Sequence, residues 1–268
     1  MAKKNTLSWV IGIIVIIAII IGWKFYSNSG QEPDTIEEVE PVPTFPESVV
    51  EPEVTQPAEA IDEPSVAIET QAPIIPAPKS LDNSDPQVHS AVTDFAPKLS
   101  KWLLPNEQVR KWVLTIDLLA DGKMPKRYLP IDYPMSKFST DEQSALASSN
   151  YARMDEVIDS VTRINSSLAA RYYKEWLPVL EQAYKEQGKA GSFDQRFKQT
   201  ISQVLATEPL EQAPTLKRPG VLYRYADQNL EEASDIEKLM WRMGPENSEK
   251  VQNFLRDLRN QIDKNKEN

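Results

Sequence analysis

Arginines that stand beside aromatic residues are the side chains of this sequence best suited to binding chemistry. Arginine binds carboxylates through two parallel hydrogen bonds, and arginine and aromatic residues are enriched where proteins contact their partners. The pattern predicts a binding surface, and a turn at 243–247 adds two further candidates to it. The candidate residues are Arg110, Arg127, Tyr128, Tyr151, Arg153, Tyr223, Arg242, Glu246 and Asn247. In the alternative interpretation the aromatics belong to the core, the arginines pair with acids, and Glu246 or Asn247 caps a helix corner.

Carboxylates that could act as an acid–base pair lie close together at Asp155, Glu156 and Asp159. Pairs of carboxylates cleave glycans when they face each other across a bond. A single helix rarely supplies both members of such a pair, and a charged helix face is usually only solvated. His89 is the single histidine, and no second type of metal ligand stands near it. No catalytic, cofactor-binding or metal-binding residue is therefore predicted.

Composition excludes several other classes of function. The chain has no cysteine, so disulfides, thiol nucleophiles and cysteine metal sites are excluded. Residues 81–268 contain 28 acids and 26 bases, a balance that gives no basic footprint for nucleic acid. The eight glycines form neither GxGxxG nor a P-loop, and no GxSxG or SxxK motif stands in a suitable context.

An apolar segment at 7–26 determines where these residues are placed in the cell. From Val10 to Gly22 it contains only apolar residues and glycine, and twenty helical residues span roughly 30 Å, the thickness of a bilayer core. We interpret it as a single transmembrane helix with residues 1–6 in the cytoplasm, because Lys3 and Lys4 precede it and only Lys24 follows closely. A cleaved signal peptide is the alternative, but residues 23–26 are bulky where a cleavage site should be small.

A linker is predicted after the membrane segment, over residues 27–82. Residues 31–80 contain ten prolines and twelve acids but only one base, Lys79. Such a segment cannot bury enough apolar surface to offset its chain entropy, so we expect a disordered, extended spacer. Its acidic prolines lack the basic residues of a typical proline-rich docking motif, which favours an inert tether.

A mainly α domain is predicted over residues 83–262, with a frayed tail at 263–268. Apolar residues recur at helical spacing in about seven segments, which indicates an irregular helical bundle. Gly244-Pro245 should end one helix and begin the last one, and Pro178 should kink or divide a long helix. Residues 123–138 should cross the domain in extended form. Residues 208–225 should form a small β-hairpin or three-stranded patch.

Several short motifs in this domain resemble a proteobacterial family of single-span membrane proteins, the domain of unknown function numbered 3014. Arg110, Gly122, Pro125, Leu129, Pro130 and Phe138 also match its pattern, and the resemblance covers most of residues 81–262. It implies the same layout of anchor, spacer and domain, and it implies no activity or cofactor. The motifs are Tyr151-Ala-Arg153-Met-Asp155, Gly191-Ser-Phe193-Asp194, Val221-Leu222-Tyr223, Ala226-Asp227 and Met243-Gly244-Pro245-Glu246-Asn247.

Together these features predict a protein of the bacterial inner membrane with its helical domain in the periplasm. The domain is expected to bind or scaffold a protein partner or a cell-wall component such as peptidoglycan, without nucleic acid or a cofactor. One alternative is a hydrolase of a wall polymer that assembles a carboxylate pair across helices. The other is an inverted topology, in which the domain serves as a cytoplasm-facing tether or receptor for an assembly protein. The sequence does not indicate an oligomeric state.

Overall fold

A computed structural model describes residues 73–125, 127–141, 145–220 and 222–267. The predicted cytoplasmic segment, the predicted transmembrane helix at 7–26 and the linker up to residue 72 lie outside these residues. No helix within the described ranges is long and apolar enough to span a bilayer.

The described part of the chain is mainly helical, as predicted. It contains nine helices and one two-stranded sheet, and three of the helices, α2, α4 and α8, have only four or five residues. Such single turns are too short to show a periodic apolar stripe of their own, which explains why about seven helical segments were predicted. The helices are α1 Asp85–Phe95, α2 Pro97–Ser100, α3 Gln108–Ala120, α4 Ser149–Ala152, α5 Asp155–Thr162, α6 Ser166–Glu186, α7 Phe193–Ala206, α8 Gln228–Glu232 and α9 Asp235–Glu267.

Helix α3 lies at the centre of the core and packs mainly against α6 and α7, which also contact α9. The predicted apolar face of α3 is buried along its whole length, from Val109 through Trp112 to Leu119. Large aromatic side chains fill the space between the helices, including Trp176 of α6 and Phe197 of α7. Burial of this continuous stripe is the main reason that the bundle forms.

The first turn of α3 is held by a carboxylate from another helix. Asn106 and Glu107 both have positive φ, and α3 begins directly after them without a side-chain cap of its own. Instead, the main-chain N–H groups of Glu107 and Gln108 donate to Asp85 of α1 over 2.9 and 2.8 Å. This bidentate contact satisfies donors that a helix start leaves unpaired and joins α1 to α3.

Helix α6 is continuous through Pro178, so of the two predicted outcomes, a kink or a division, the division does not occur. Asn165 caps its first turn by accepting hydrogen bonds from Ser167 N and Leu168 N. Buried residues lie on both sides of the proline, with Trp176 before it and Val179 and Leu180 after it. Packing of this buried face outweighs the one main-chain hydrogen bond that proline removes.

The predicted boundary of the linker at residue 82 requires a correction, because the packed structure begins near Ile74. The N–H of Ile75 donates to the hydroxyl of Tyr172 over 3.0 Å, and Trp176 Nε1 donates to the carbonyl of Ile75 over 3.1 Å. Ile74 and Ile75 pack against the core, and Leu81 is buried within it. These aliphatic residues provide the apolar surface that the preceding acidic repeats lack.

The other end of the domain also extends further than predicted. Helix α9 runs to Glu267, past Ile262, where the apolar stripe stops. Once a helix has formed, each further residue adds a main-chain hydrogen bond without a new nucleation cost, so residues without an apolar stripe can continue it.

The predicted β-hairpin is present as a two-stranded antiparallel sheet. Strands β1 Leu216–Lys217 and β2 Arg224–Tyr225 pair with Leu216 opposite Tyr225. Isolated bridges between residues 140 and 146 and between residues 145 and 215 extend this patch, and another joins Leu103 to Ile131 in the predicted extended crossing. A second, smaller core forms under the sheet and reaches α9. It comprises Leu146, Leu216 and Tyr225, with Phe138, Tyr151, Tyr223, Leu230 and Trp241 packed around them.

A candidate binding groove at the kink of helix α9

The kink of α9 is built on the contact between a glycine and an aromatic ring. Gly244 has φ 83° and ψ 163°, which interrupts the helix before Pro245. A Cβ atom at Gly244 would lie 2.5 Å from Cγ of Tyr151, so only a glycine lets this ring approach the main chain. The prediction that Gly244-Pro245 separates two helical segments is confirmed.

Asn247 fixes the kink to the preceding helices. Its side chain is buried, and Nδ2 donates to the carbonyls of Tyr151 and Met243 and to Asp155 Oδ1 over 3.3, 3.1 and 2.8 Å. These partners lie in α4, α5 and the segment of α9 before the kink. Asn247 therefore holds the helix corner together from inside and does not offer its amide to solvent.

A groove of about 550 Å³ opens between this corner and the loop at 207–214. The two walls are tied together, because Trp241 Nε1 donates to the carbonyl of Glu208 over 2.9 Å. Gln252 Nε2 also donates to the carbonyls of Val204 and Thr207 over 3.0 and 2.8 Å. The groove is thus preformed. It is lined by Tyr151, Thr207, Glu208, Pro209, Leu210, Glu211, Gln212, Ala213, Pro214, Met240, Trp241, Gly244, Pro245, Glu246, Ser248, Glu249 and Gln252.

The chemistry of the groove combines apolar surface with acidic groups. Met240, Trp241 and Leu210 contribute apolar surface, with Met240 buried and the other two partly exposed. The glutamates at 208, 211, 246 and 249 are exposed, and the lining contains no lysine or arginine among the residues that the structure describes. Glu246 forms an ion pair of 3.1 Å with Lys250, which does not line the groove. The groove can therefore accept a ligand that is apolar on one side and cationic on another.

Three of the predicted arginine and aromatic residues converge next to this groove, around Phe138. Arg153 lies over the Phe138 ring at 5.7 Å and donates from Nε to the carbonyl of Ser136 over 2.8 Å. The ring of Tyr223 also packs against Phe138, with 5.0 Å between the ring centroids. Arg242 lies over the ring of Tyr225, 5.4 Å from its centroid. Burial lowers the pKa of Arg153. These side chains pack the second core, and Arg153 and Arg242 line a small cavity there.

The other predicted arginines lie elsewhere. Arg110, at the start of α3, forms ion pairs with Asp82, Glu107 and Glu186 at 2.6 to 3.0 Å. Hydrogen bonds to these carboxylates, with Asp82 contributing most, raise the pKa of Arg110. This arginine therefore pairs with acids, as the alternative interpretation holds, and joins the start of the domain to α3 and α6.

Arg127 and Tyr128 lie in an exposed loop and do not line the groove. Tyr128 is 69% exposed and has φ 58°, an uncommon conformation for a residue other than glycine. The predicted residues thus occupy three places. Arg153, Tyr223 and Arg242 lie around Phe138, next to the helix corner that contains Tyr151, Glu246 and Asn247. Arg110 lies at the start of α3, and Arg127 and Tyr128 lie in this loop.

The carboxylates considered for acid–base chemistry are engaged in ion pairs and hydrogen bonds within the fold. Asp159 pairs with Arg163 at 2.7 Å and with Lys250 at 3.2 Å, and Glu156 accepts a hydrogen bond from Tyr133 over 3.3 Å. Asp155 accepts the hydrogen bond from Asn247 described above. In the described ranges no group of three or more histidine, cysteine, aspartate or glutamate residues is arranged to hold a metal ion.

Comparison with known families now assigns the domain. The model of the family described as "Protein of unknown function (DUF3014)" matches residues 108–259, more than half of the chain. The chain belongs to this family. The resemblance inferred from the short motifs is therefore confirmed, and every residue that lines the groove lies within the matched DUF3014 region. No curated protein and no solved structure matches the chain.

The DUF3014 groove itself was not predicted from the sequence. Its loop carried a visible signal, since Pro209 and Pro214 flank a short segment, Leu210–Ala213, and both are residues that interrupt helices. The partner wall includes Trp241, which lies 33 residues beyond Glu208 in the chain. No local pattern connects these two segments, so only their packing reveals a common site.

Proposed function

We propose that this DUF3014 protein is a membrane-anchored envelope protein whose helical domain binds a partner through the groove at the kink of α9. The observation that carries the proposal is the preformed groove, with apolar surface inside and charged groups at its rim. Concave sites of several hundred Å³ with a mostly apolar lining and a few polar groups are where proteins usually bind ligands. The ties between Trp241 and Glu208 and between Gln252 and Thr207 support binding without a large rearrangement.

The proposed location is the bacterial inner membrane, with the amino terminus in the cytoplasm and the domain in the periplasm. The apolar segment at 7–26 and the two lysines before it support this placement. The acidic, proline-rich residues that follow would then act as a spacer, which lets the domain reach partners at a distance from the membrane.

Reporter fusions test the topology. We expect alkaline phosphatase fused to the carboxyl terminus to be active and green fluorescent protein at the same position to be dark, because only the phosphatase folds productively in the periplasm. Deletion of residues 7–26 is the control and should abolish the phosphatase activity. Fluorescence from the green fluorescent protein fusion, together with an inactive phosphatase fusion, would contradict the proposed topology and favour the cytoplasm-facing tether.

Site-specific photo-crosslinking tests the groove. A photoreactive phenylalanine analogue at Gln212, on the exposed edge of the groove, should yield a discrete adduct when cells that express the full-length protein are irradiated. Ser202, exposed on α7 and outside the groove, is the matched control and should yield none. Digestion of the adduct with protease or with a muramidase separates a protein partner from peptidoglycan. Equal adducts at both positions, or none at Gln212, would contradict the proposal.

A further inference from the structure

We propose that the partner enters the groove as an extended peptide segment that carries lysine or arginine side chains. This inference rests on the proposed binding function of the groove and specifies the chemistry of its ligand. Three features of the site support it: the charge of the rim, the open main chain of the loop and the apolar surface between them.

The rim is mainly acidic, and of its four carboxylates only Glu246 is paired with a base, Lys250 just outside the groove, within the described residues. The carboxylates of Glu208, Glu211, Glu246 and Glu249 are exposed, and no basic side chain is among the described residues that line the groove. Carboxylates that line one groove act together to attract a ligand of opposite charge, an effect that salt screens. A cationic segment is therefore favoured in both association rate and specificity.

The loop wall offers main-chain groups to a ligand. Residues 209–213 make no main-chain hydrogen bond to any other part of the described chain, although Glu208 and Pro214 on either side of them accept hydrogen bonds from Trp241 and Leu146. Both ends of the loop are thus held, while the N–H groups of residues 210–213 and the C=O groups of residues 209–213 have no main-chain partner within the described chain. Main-chain groups of a peptide can donate to and accept from such groups.

The apolar surface suits the stems of long basic side chains. Trp241 is partly exposed in the groove, and its orientation is fixed by the hydrogen bond from Nε1 to the carbonyl of Glu208. Lysine and arginine lay their methylene groups along apolar surface while the charged end stays near water and carboxylates. A tryptophan face also attracts a nearby cation directly.

The same charges argue against two other occupants. The chain's own residues 31–80 carry twelve acids and one lysine, so the rim repels them. A wall polymer rich in carboxylates is repelled for the same reason. The preferred occupant is consequently a basic segment of another protein.

A random-sequence peptide array tests this proposal with the full-length protein in detergent. We expect the bound peptides to be enriched in lysine and arginine, and their affinity to fall as salt is raised. Replacement of the four rim carboxylates (E208Q, E211Q, E246Q and E249Q together) should raise the Kd of the best peptides roughly tenfold or more, since each exposed ion pair contributes modestly.

The matched control changes the same net charge at exposed positions outside the groove, with E175Q, E232Q, D257N and D263N combined. It should leave the Kd nearly unchanged. Bound peptides that are neutral or acidic, no bound peptide at all, or an equal response of both variants would overturn the proposal. If the crosslink at Gln212 forms while the bound peptides are neutral, only this inference fails; if the crosslink is absent, the binding function fails with it.

Discussion

Replacing Gly244 with alanine is expected to lower the free energy of unfolding of the domain by about 3–5 kcal/mol. Two causes add at this position. The combination of φ 83° and ψ 163° is one that essentially only glycine adopts. The new methyl group would also lie 2.5 Å from Cγ of Tyr151, so the ring or the helix corner must move. Urea denaturation followed by tryptophan fluorescence measures the change.

Gly188 provides the matched control for this prediction. It also has positive φ, at 69°, but a Cβ atom there would meet nothing within 4 Å. Gly188→Ala should therefore cost only about 1–2 kcal/mol, the strain of a left-handed residue without the clash. Equal effects of the two substitutions would show that the contact with Tyr151 does not determine the stability of the kink.

Because Gly244 and Tyr151 both line the groove, the prediction also bears on binding. A movement of the Tyr151 ring changes the shape of the groove at the corner, whereas Gly188 lies outside it. Peptide affinity measured on folded protein at low temperature should therefore weaken for Gly244→Ala and stay unchanged for Gly188→Ala. Unchanged affinity in both would place the ligand away from the corner.

Replacing Asp117 with asparagine is expected to lower the free energy of unfolding by about 2–4 kcal/mol. Asp117 is buried in α3 and accepts from Arg196 Nε at 2.7 Å and from Lys189 Nζ at 2.8 Å. The hydrogen bond to Asp117 raises the pKa of Lys189. Asparagine removes the negative charge but keeps the volume, so it leaves two cations facing a neutral group at the contact between α3 and α7.

Asp121, which directly follows the last residue of α3, is the control. It binds the same arginine at 2.6 Å, but its side chain is 46% exposed. Asp121→Asn should cost at most about 1 kcal/mol, because water replaces much of the lost interaction. Urea denaturation of the two variants in parallel makes the comparison, and a larger loss from Asp121 than from Asp117 would contradict the assigned role of burial.

The main helices could be predicted from the sequence because their signals are local. Val109, Trp112 and Leu119 recur at helical spacing, and this spacing by itself determines which face of α3 can be buried. The pair Gly244-Pro245 likewise marks a helix boundary, because the two residues differ from all others in their allowed backbone conformations. The family motifs are also short and contiguous, and the family assignment that they suggested is confirmed over residues 108–259.

Other features depend on residues that are distant in the chain. The cap of α3 comes from Asp85, 22 residues before Glu107, and the anchor of Ile75 comes from Tyr172, 97 residues after it. An exposed arginine and a buried one look alike in a sequence. The sequence shows only the residue type, so it predicts Arg110 as a binding residue. In the fold, however, Arg110 forms ion pairs with three carboxylates.

By itself, then, the sequence determined the helical class, the helix corner at Gly244, the family and a candidate membrane segment, because spacing, composition and backbone restrictions act over a few residues. Only the tertiary structure decided which of the arginines and carboxylates pack in the core or form ion pairs with each other. It also placed the loop at 207–214 against the kink of α9. Burial and ion pairing arise from contacts between distant segments, and the acidic groove at that kink exists only where those segments meet.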